Sequence, residues 1–274
     1  MATLSETERP AETRKVPPFA TLGGQILDVF QILGEGIYVF FGTLRQIRLD
    51  ARTRERIIDQ LVRVGTDTLP LAALVSLFVG MVMVVQSADQ LEQFTQEVIG
   101  SIVGLAMTKE LGPVIMAFLI AGRVGSAAAA EIGSMKVYDE INALKMMDID
   151  PLRFLAVPRL LALTLALPTL VLYCDIIGIM GGAVVVALDP ALKISVNQYF
   201  NNLTEWVNAT DVIVGLVKGM VFGIIVAVMS CTFGLRTRGG AEGVARSTTS
   251  AVVWSFVLII IFDYLIVRGV LLLL

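Results

Sequence analysis

The 274-residue chain has no histidine, two cysteines and few charges: 16% of its residues, against 56% hydrophobic and a mean hydropathy of +0.80. Each shortage excludes something. Without histidine, the commonest general base and metal ligand is missing, so Ser-His-Asp hydrolysis, His-ligated zinc and His-ligated haem lose their central residue. Two cysteines cannot build a disulfide-rich secreted scaffold. A net charge of −3 offers no basic excess for nucleic acid. A soluble domain carries roughly 25% charged residues, well above this chain. There is also no G-x-x-x-x-G-K-[ST] phosphate loop, since GRVGS and GLVKG lack both the spacing and the following hydroxyl residue. What the composition leaves is an all-α integral membrane protein.

A helix needs about 20 apolar residues to cross a hydrocarbon core of roughly 30 Å. Five segments meet that requirement, at about 66–87, 98–122, 155–188, 211–235 and 248–272. Within the third, Leu160–Leu188 contains one charge, Asp175, and at 1.5 Å per residue would extend about 43 Å. It reads either as one long helix, kinked near Pro168 or Gly178, or as a crossing plus a re-entrant piece. Loop charge orients the spans. Arg45, Arg48, Arg52, Arg54, Arg56 and Arg63 precede the first span, Arg123, Lys136, Lys145, Arg153 and Arg159 follow the second, and Arg236, Arg238 and Arg246 follow the fourth. Residues 88–97 contain no Lys or Arg, and residues 189–210 contain Lys193 alone. The expected N-terminus is therefore cytoplasmic and the C-terminus lies on the far side, as five spans require.

Ahead of the spans, residues 1–20 read as a flexible polar tail, and their acidic start argues against a signal peptide. Residues 21–65 read as N-terminal interfacial and amphipathic helices. In 25–44, Asp28 and Glu35 share a helix face, which suits a helix lying in the interface. A sixth span there would invert the charge bias. Residues 51–65 read as a basic amphipathic helix leading into the permease domain of residues 66–274.

The most distinctive stretch is residues 121–159. Its first ten residues are nearly all small, which permits close helix approach. A helix is expected over about 131–147, with Ala130, Gly133, Ser134, Val137, Ile141 and Leu144 on one stripe and Asp139 opposite. Such a helix either packs on the protein's own membrane ends or docks into a cytoplasmic partner. In the same region, ELGP (Glu110–Pro113), AGR-GSA (Ala121–Ala127), AEIG-M (Ala130–Met135), I-AL-MM (Ile141–Met147) and DP-R-L--PR (Asp150–Arg159) form a gapless pattern of about fifty residues. It resembles the MlaE/YrbE permeases, the membrane subunits of ABC transporters that work with MCE-domain proteins.

That resemblance implies a homodimer in the bacterial inner membrane, with its C-terminus in the periplasm. The dimer would move phospholipid or a related hydrophobic molecule, with a cytoplasmic ATPase, a periplasmic MCE-domain protein and a small STAS-domain regulator as partners. ATP and Mg would be bound by the ATPase; no cofactor, metal or catalytic residue is expected in this chain. Residues 131–147 would be the coupling helix, with Glu131, Gly133, Ser134, Val137, Glu140, Ile141 and Leu144 as its contacts.

Charges at bilayer depth are costly and face a cavity or a partner. Lys109 and Glu110 lie mid-span, with Lys218 and Asp263 at similar depth in the fourth and fifth spans. Two cations and two anions can neutralise one another as packing pairs, or they can form a polar patch that receives a lipid headgroup. Asp175 has no evident partner. Phe78, Met81, Val82 and Val85 are candidates for acyl-tail contact, although such a stripe also serves plain helix packing. Pro113 is expected to kink the second span beside the Lys-Glu pair. A secondary transporter or channel would also use intramembrane charges, but five spans without an internal repeat suit alternating access poorly. A lipid-modifying enzyme would need a catalytic cluster at the interface, and the sequence contains no such cluster.

Overall fold

Long apolar runs form helices because every backbone N–H must be satisfied within its own segment when lipid replaces water. A computed structural model of the chain describes residues 18–47, 50–91, 98–190, 192 and 194–273, with the side chains of 18–26, 52 and 273 left aside. The expected tail at 1–17 lies outside these residues, and 18–20 belong to the first helix, α1 (Pro18–Arg45). The helices that follow are α2 (Ala51–Leu91), α3 (Ile99–Ala106), α4 (Gly112–Ile120), α5 (Ser126–Val137), α6 (Glu140–Met146), α7 (Val157–Leu188), α8 (Val196–Trp206), α9 (Ala209–Arg236) and α10 (Gly240–Leu273). The protein is thus an all-α, multi-pass membrane protein. Among the described residues, six helical stretches are long and apolar enough to cross a membrane; the sixth is Leu27–Arg45, the segment read as interfacial.

Three boundaries differ from the sequence reading. Residues 51–65 are not a separate helix: α2 runs on through Pro70 for 41 residues, roughly 60 Å at 1.5 Å per residue, so it is longer than the hydrocarbon core. The second span does not end at 122. α3, α4 and α5 follow one another as a single rod, Ile99–Val137, through π-helical turns at Met107–Leu111 and Ala121–Gly125. The third span is one continuous helix with no re-entrant break, entered through a π-helical turn at Leu152–Ala156.

The expected 131–147 helix is instead two pieces. The chain turns at Tyr138–Asp139, with Asp139 at φ 59°. Aspartate tolerates this left-handed conformation when its short side chain bonds locally, and here the Asp139 carboxylate accepts from Asn142 Nδ2 at 2.8 Å.

Small residues set how closely the rods approach. Gly80 of α2 lies directly against the backbone of Gly178 in α7, and Gly181 lies against the Leu77 carbonyl. Beside them Ser76 Oγ donates to Cys174 Sγ at 2.8 Å. Cys174 and Cys231 are both free, buried thiols. In the connection after α7, α8 carries a capping box, Ser195 with Gln198. It inserts the buried Tyr199 between Gly100 and Gly182, where the hydroxyl donates to Ile179 O at 3.2 Å. α7 and α9 form the interior, while α2 and α10 keep open apolar faces.

Candidate functional site

The candidate site is built on the π-helical turn Met107–Leu111. Pro113 follows it and has no N–H to give to the carbonyl four residues earlier, which is that of Lys109. That orphan carbonyl is satisfied from another helix: Lys218 Nζ of α9 donates to Lys109 O at 2.8 Å. α9 comes this close because Gly215, one turn before Lys218, packs against the Thr108 carbonyl with no Cβ to obstruct it.

Lys218 is 1% exposed and would be an isolated buried charge without further partners. Its ammonium also donates to Glu110 Oε2 at 2.7 Å and lies 2.8 Å from Asp263 Oδ1 of α10. The contact with Asp263 is an ion pair without the geometry of a hydrogen bond. Three helices are thereby joined at one cation, which donates to two oxygens and lies against a third. With two carboxylates on one ammonium, the cluster is net negative by one.

Of the four charges grouped from sequence, the structure brings Glu110, Lys218 and Asp263 together but sends the Lys109 side chain elsewhere. Lys109 Nζ pairs with Asp211 Oδ1 at 2.9 Å, so Lys109 joins the cluster through its carbonyl alone. Asp211 was missed by sequence reasoning. It is the third residue of α9, in a capping box with Asn208, and that N-x-x-D spacing was its available signal. The Lys109 and Glu110 side chains are 45% and 44% exposed, so one cation and one anion on adjacent residues open outward from a buried base. Asp175 of α7 lies beside the same turn, against Gly112, whose missing side chain leaves it room. Its Oδ1 has no hydrogen-bond partner among the described residues.

The other candidates lie apart. Phe78, Val82 and Val85 are on the open face of α2, and Met81 is half-buried there. Among the residues assigned to coupling, Glu131 pairs with the buried Arg159 at 2.7 Å, and Gly133 packs against Thr237. Ser134 and Val137 are half-buried, and Glu140 is exposed. Ile141 and Leu144 point inward, and Ile141 packs with Val39, Ile132, Leu155, Ala156 and Cys231. The stripe at helical spacing is therefore the inner face of this segment. Its outer face includes the exposed Tyr138, Met146 and Met147; the two methionines belong to the I-AL-MM motif but were not assigned to coupling from sequence.

Comparison with known proteins identifies the family. The family described as Permease MlaE matches residues 57–268. The intermembrane phospholipid transport system permease protein MlaE of Haemophilus influenzae is 33% identical over 255 residues, covering 90% of this chain and 95% of that protein. A probable ABC transporter permease protein of Rickettsia typhi is 42% identical over 211 residues, 77% of this chain and 81% of its own. The chloroplastic protein TRIGALACTOSYLDIACYLGLYCEROL 1 of Arabidopsis thaliana is 39% identical over 210 residues, 76% and 59% of the two chains. The match extends from α2 into α10 and contains Lys109, Glu110, Lys218 and Asp263, so the chain belongs to the MlaE permease family.

Proposed function

We propose that the chain is the membrane subunit of an ABC-type phospholipid transporter, acting as a homodimer. In this reading a separate cytoplasmic ATPase binds ATP and Mg, and a periplasmic MCE-domain protein exchanges lipid with the permease. The names of the Haemophilus and Rickettsia relatives support both phospholipid as cargo and an ABC partner. The inner membrane is the host, with the N-terminus cytoplasmic and the C-terminus periplasmic. In support of α1 lying in the interface, its packing is at one end of the bundle: Gly36 meets Val228 and Met229, and Gly42 meets Leu152. Open apolar faces on α2 and α10 suit a second copy as well as lipid.

The observation that carries the reading is the outward-facing Lys109–Glu110 pair above buried Lys218. Adjacent opposite charges in apolar surroundings match a zwitterionic headgroup, with phosphate toward Lys109 and amine toward Glu110. Each charge-assisted hydrogen bond contributes about 1.5–3 kcal/mol. The test is ATP-dependent transfer of labelled phosphatidylethanolamine by the reconstituted complex. Glu110→Gln is expected to slow transfer at least about tenfold while the partners still co-purify. Transfer at the wild-type rate would overturn the assignment.

The outer face of α6 is the ATPase contact in this reading, with Ile141 and Leu144 bracing it from behind. Introducing charge by Met146→Glu together with Met147→Glu is expected to abolish ATPase co-purification and leave the permease monodisperse. Retained co-purification with lipid-stimulated hydrolysis would refute that contact.

A further inference from the structure

At the end of the bundle where α5, α6 and α9 terminate, the C-terminus of α1 closes a cleft of about 880 Å³. Its position is held by three contacts: Gly42 on Leu152, Gln46 Nε2 donating to Asp150 Oδ2 at 2.7 Å, and Val39 packed with Ile141; beside them Gly133 of α5 lies tightly on Thr237. Lys136 lies one turn beyond Gly133, and Arg238 directly follows Thr237, so both extend from that tight contact into the cleft. Arg45, Lys145 and Arg236 complete a lining of five cations.

The acidic residues of the cleft do not balance them. Glu35 is engaged by Arg236 at 3.6 Å, and Asp150 accepts from Gln46 and from the Leu152 N–H at 2.8 Å. Asp148 is left against Arg45, Lys136, Lys145 and Arg238, for which no described residue supplies an ion-pair partner. Unpaired like charges gathered in a concave site raise the local concentration of an anion. Guanidinium and ammonium groups from separate elements are the usual means of holding phosphate. The lining also includes the apolar side chains of Val39, Leu152 and Leu235 and the ring of Tyr38. On another stripe of α1, Ile37, Phe41 and Leu44 are exposed. A ligand suited to cations and apolar side chains together carries a phosphate on a hydrocarbon stem, and basic pockets at the cytoplasmic ends of membrane helices take such headgroups.

We propose that this cleft binds the phosphate headgroup of an anionic phospholipid from the adjacent leaflet, at a site separate from the Lys109–Glu110 pair. The occupant ties α1, α5, α6 and the α9–α10 turn together, so α6 is braced by lipid from behind. The site is distinct from the outer face of α6, and its binding readout does not depend on transport.

The test is native mass spectrometry of the full chain in detergent, titrated with phosphatidylglycerol or phosphatidylcholine. The wild type is expected to prefer phosphatidylglycerol. The variant Lys136→Gln/Lys145→Gln/Arg238→Gln is expected to bind it on the order of tenfold more weakly or worse, with phosphatidylcholine adducts and melting temperature unchanged. The charge-retaining variant Lys136→Arg/Lys145→Arg/Arg238→Lys is expected to keep the preference. Equal phosphatidylglycerol binding by wild type and the glutamine variant would overturn the proposal, as would equal loss in both variants. Displacement of the lipid by millimolar inorganic phosphate would instead identify a free-anion site and overturn the lipid assignment. Loss of ATPase co-purification by the glutamine variant with lipid binding intact would make the cleft a protein contact, which also overturns it.

Discussion

Replacing Lys218 by glutamine is expected to unfold or severely destabilise the permease, with a loss on the order of 3–5 kcal/mol, because it breaks a buried ionic cluster from one side. Glu110 and Asp263 would then face each other without their shared cation, and the Lys109 carbonyl would exchange an ammonium donor for a neutral amide one bond shorter. Two like charges in lipid have no water to separate them. The measurement is melting temperature and monodisperse yield of the purified chain. A companion variant separates stability from function: Lys218→Met with Glu110→Gln and Asp263→Asn removes all three charges at similar volume. It is expected to recover much of the stability, since neutral replacements of buried ion pairs are often tolerated, while lipid transfer stays lost. Recovery of transfer along with stability would reduce the cluster to a packing device. A stable Lys218→Gln protein would show that the cation is dispensable.

The second large effect is expected at Gly80. A Cβ there lands on the backbone of Gly178, and two rigid helices cannot yield as a flexible side chain would. Overpacking of this kind costs about 1–3 kcal/mol and sometimes more. Lipid supplies no hydrophobic force to hold displaced helices together, so close packing is the principal attraction to be lost. Gly80→Val is expected to abolish the monodisperse species. Gly34 of α1 provides the contrast, because nothing lies within 4 Å of its would-be Cβ. There alanine is expected to be neutral or stabilising by up to about 1 kcal/mol, since glycine is the poorer helix former. A normal melting temperature for Gly80→Val would mean that α2 and α7 do not meet as described.

How much of this was readable beforehand varied with the range of the interaction. The apolar runs could be read because crossing a bilayer depends on about 20 consecutive residues. The continuity of α7 through Pro168 could not, because a kinked helix and a re-entrant loop share the same hydropathy. The break at Asp139 left no mark on the apolar period either. It depends on one backbone angle and on the Asn142 amide three residues away. Ile141 was placed on the right stripe, but periodicity does not say whether a stripe faces a partner or the protein's own core; the packing with Val39 and Cys231 decided that.

The cluster shows the same division. Charged side chains in apolar segments stand out by type, so Glu110, Lys218 and Asp263 could be named, and Pro113 marks a carbonyl that needs a donor. Which cation supplies that donor was not legible, because a carbonyl belongs to every residue and Lys218 lies 109 positions away. The diversion of Lys109 to Asp211 was hidden for the same reason. By itself the sequence determined the all-α membrane class, its apolar segments, the alternation of basic and Lys/Arg-poor loops and the absence of a nucleotide-loop motif, all properties of short stretches of chain. The tertiary structure alone decided which charges meet, which face of α6 is open and where unpaired cations collect. Those depend on helix spacing set by single glycines and on donors shared across distant segments, and neither has a local signature.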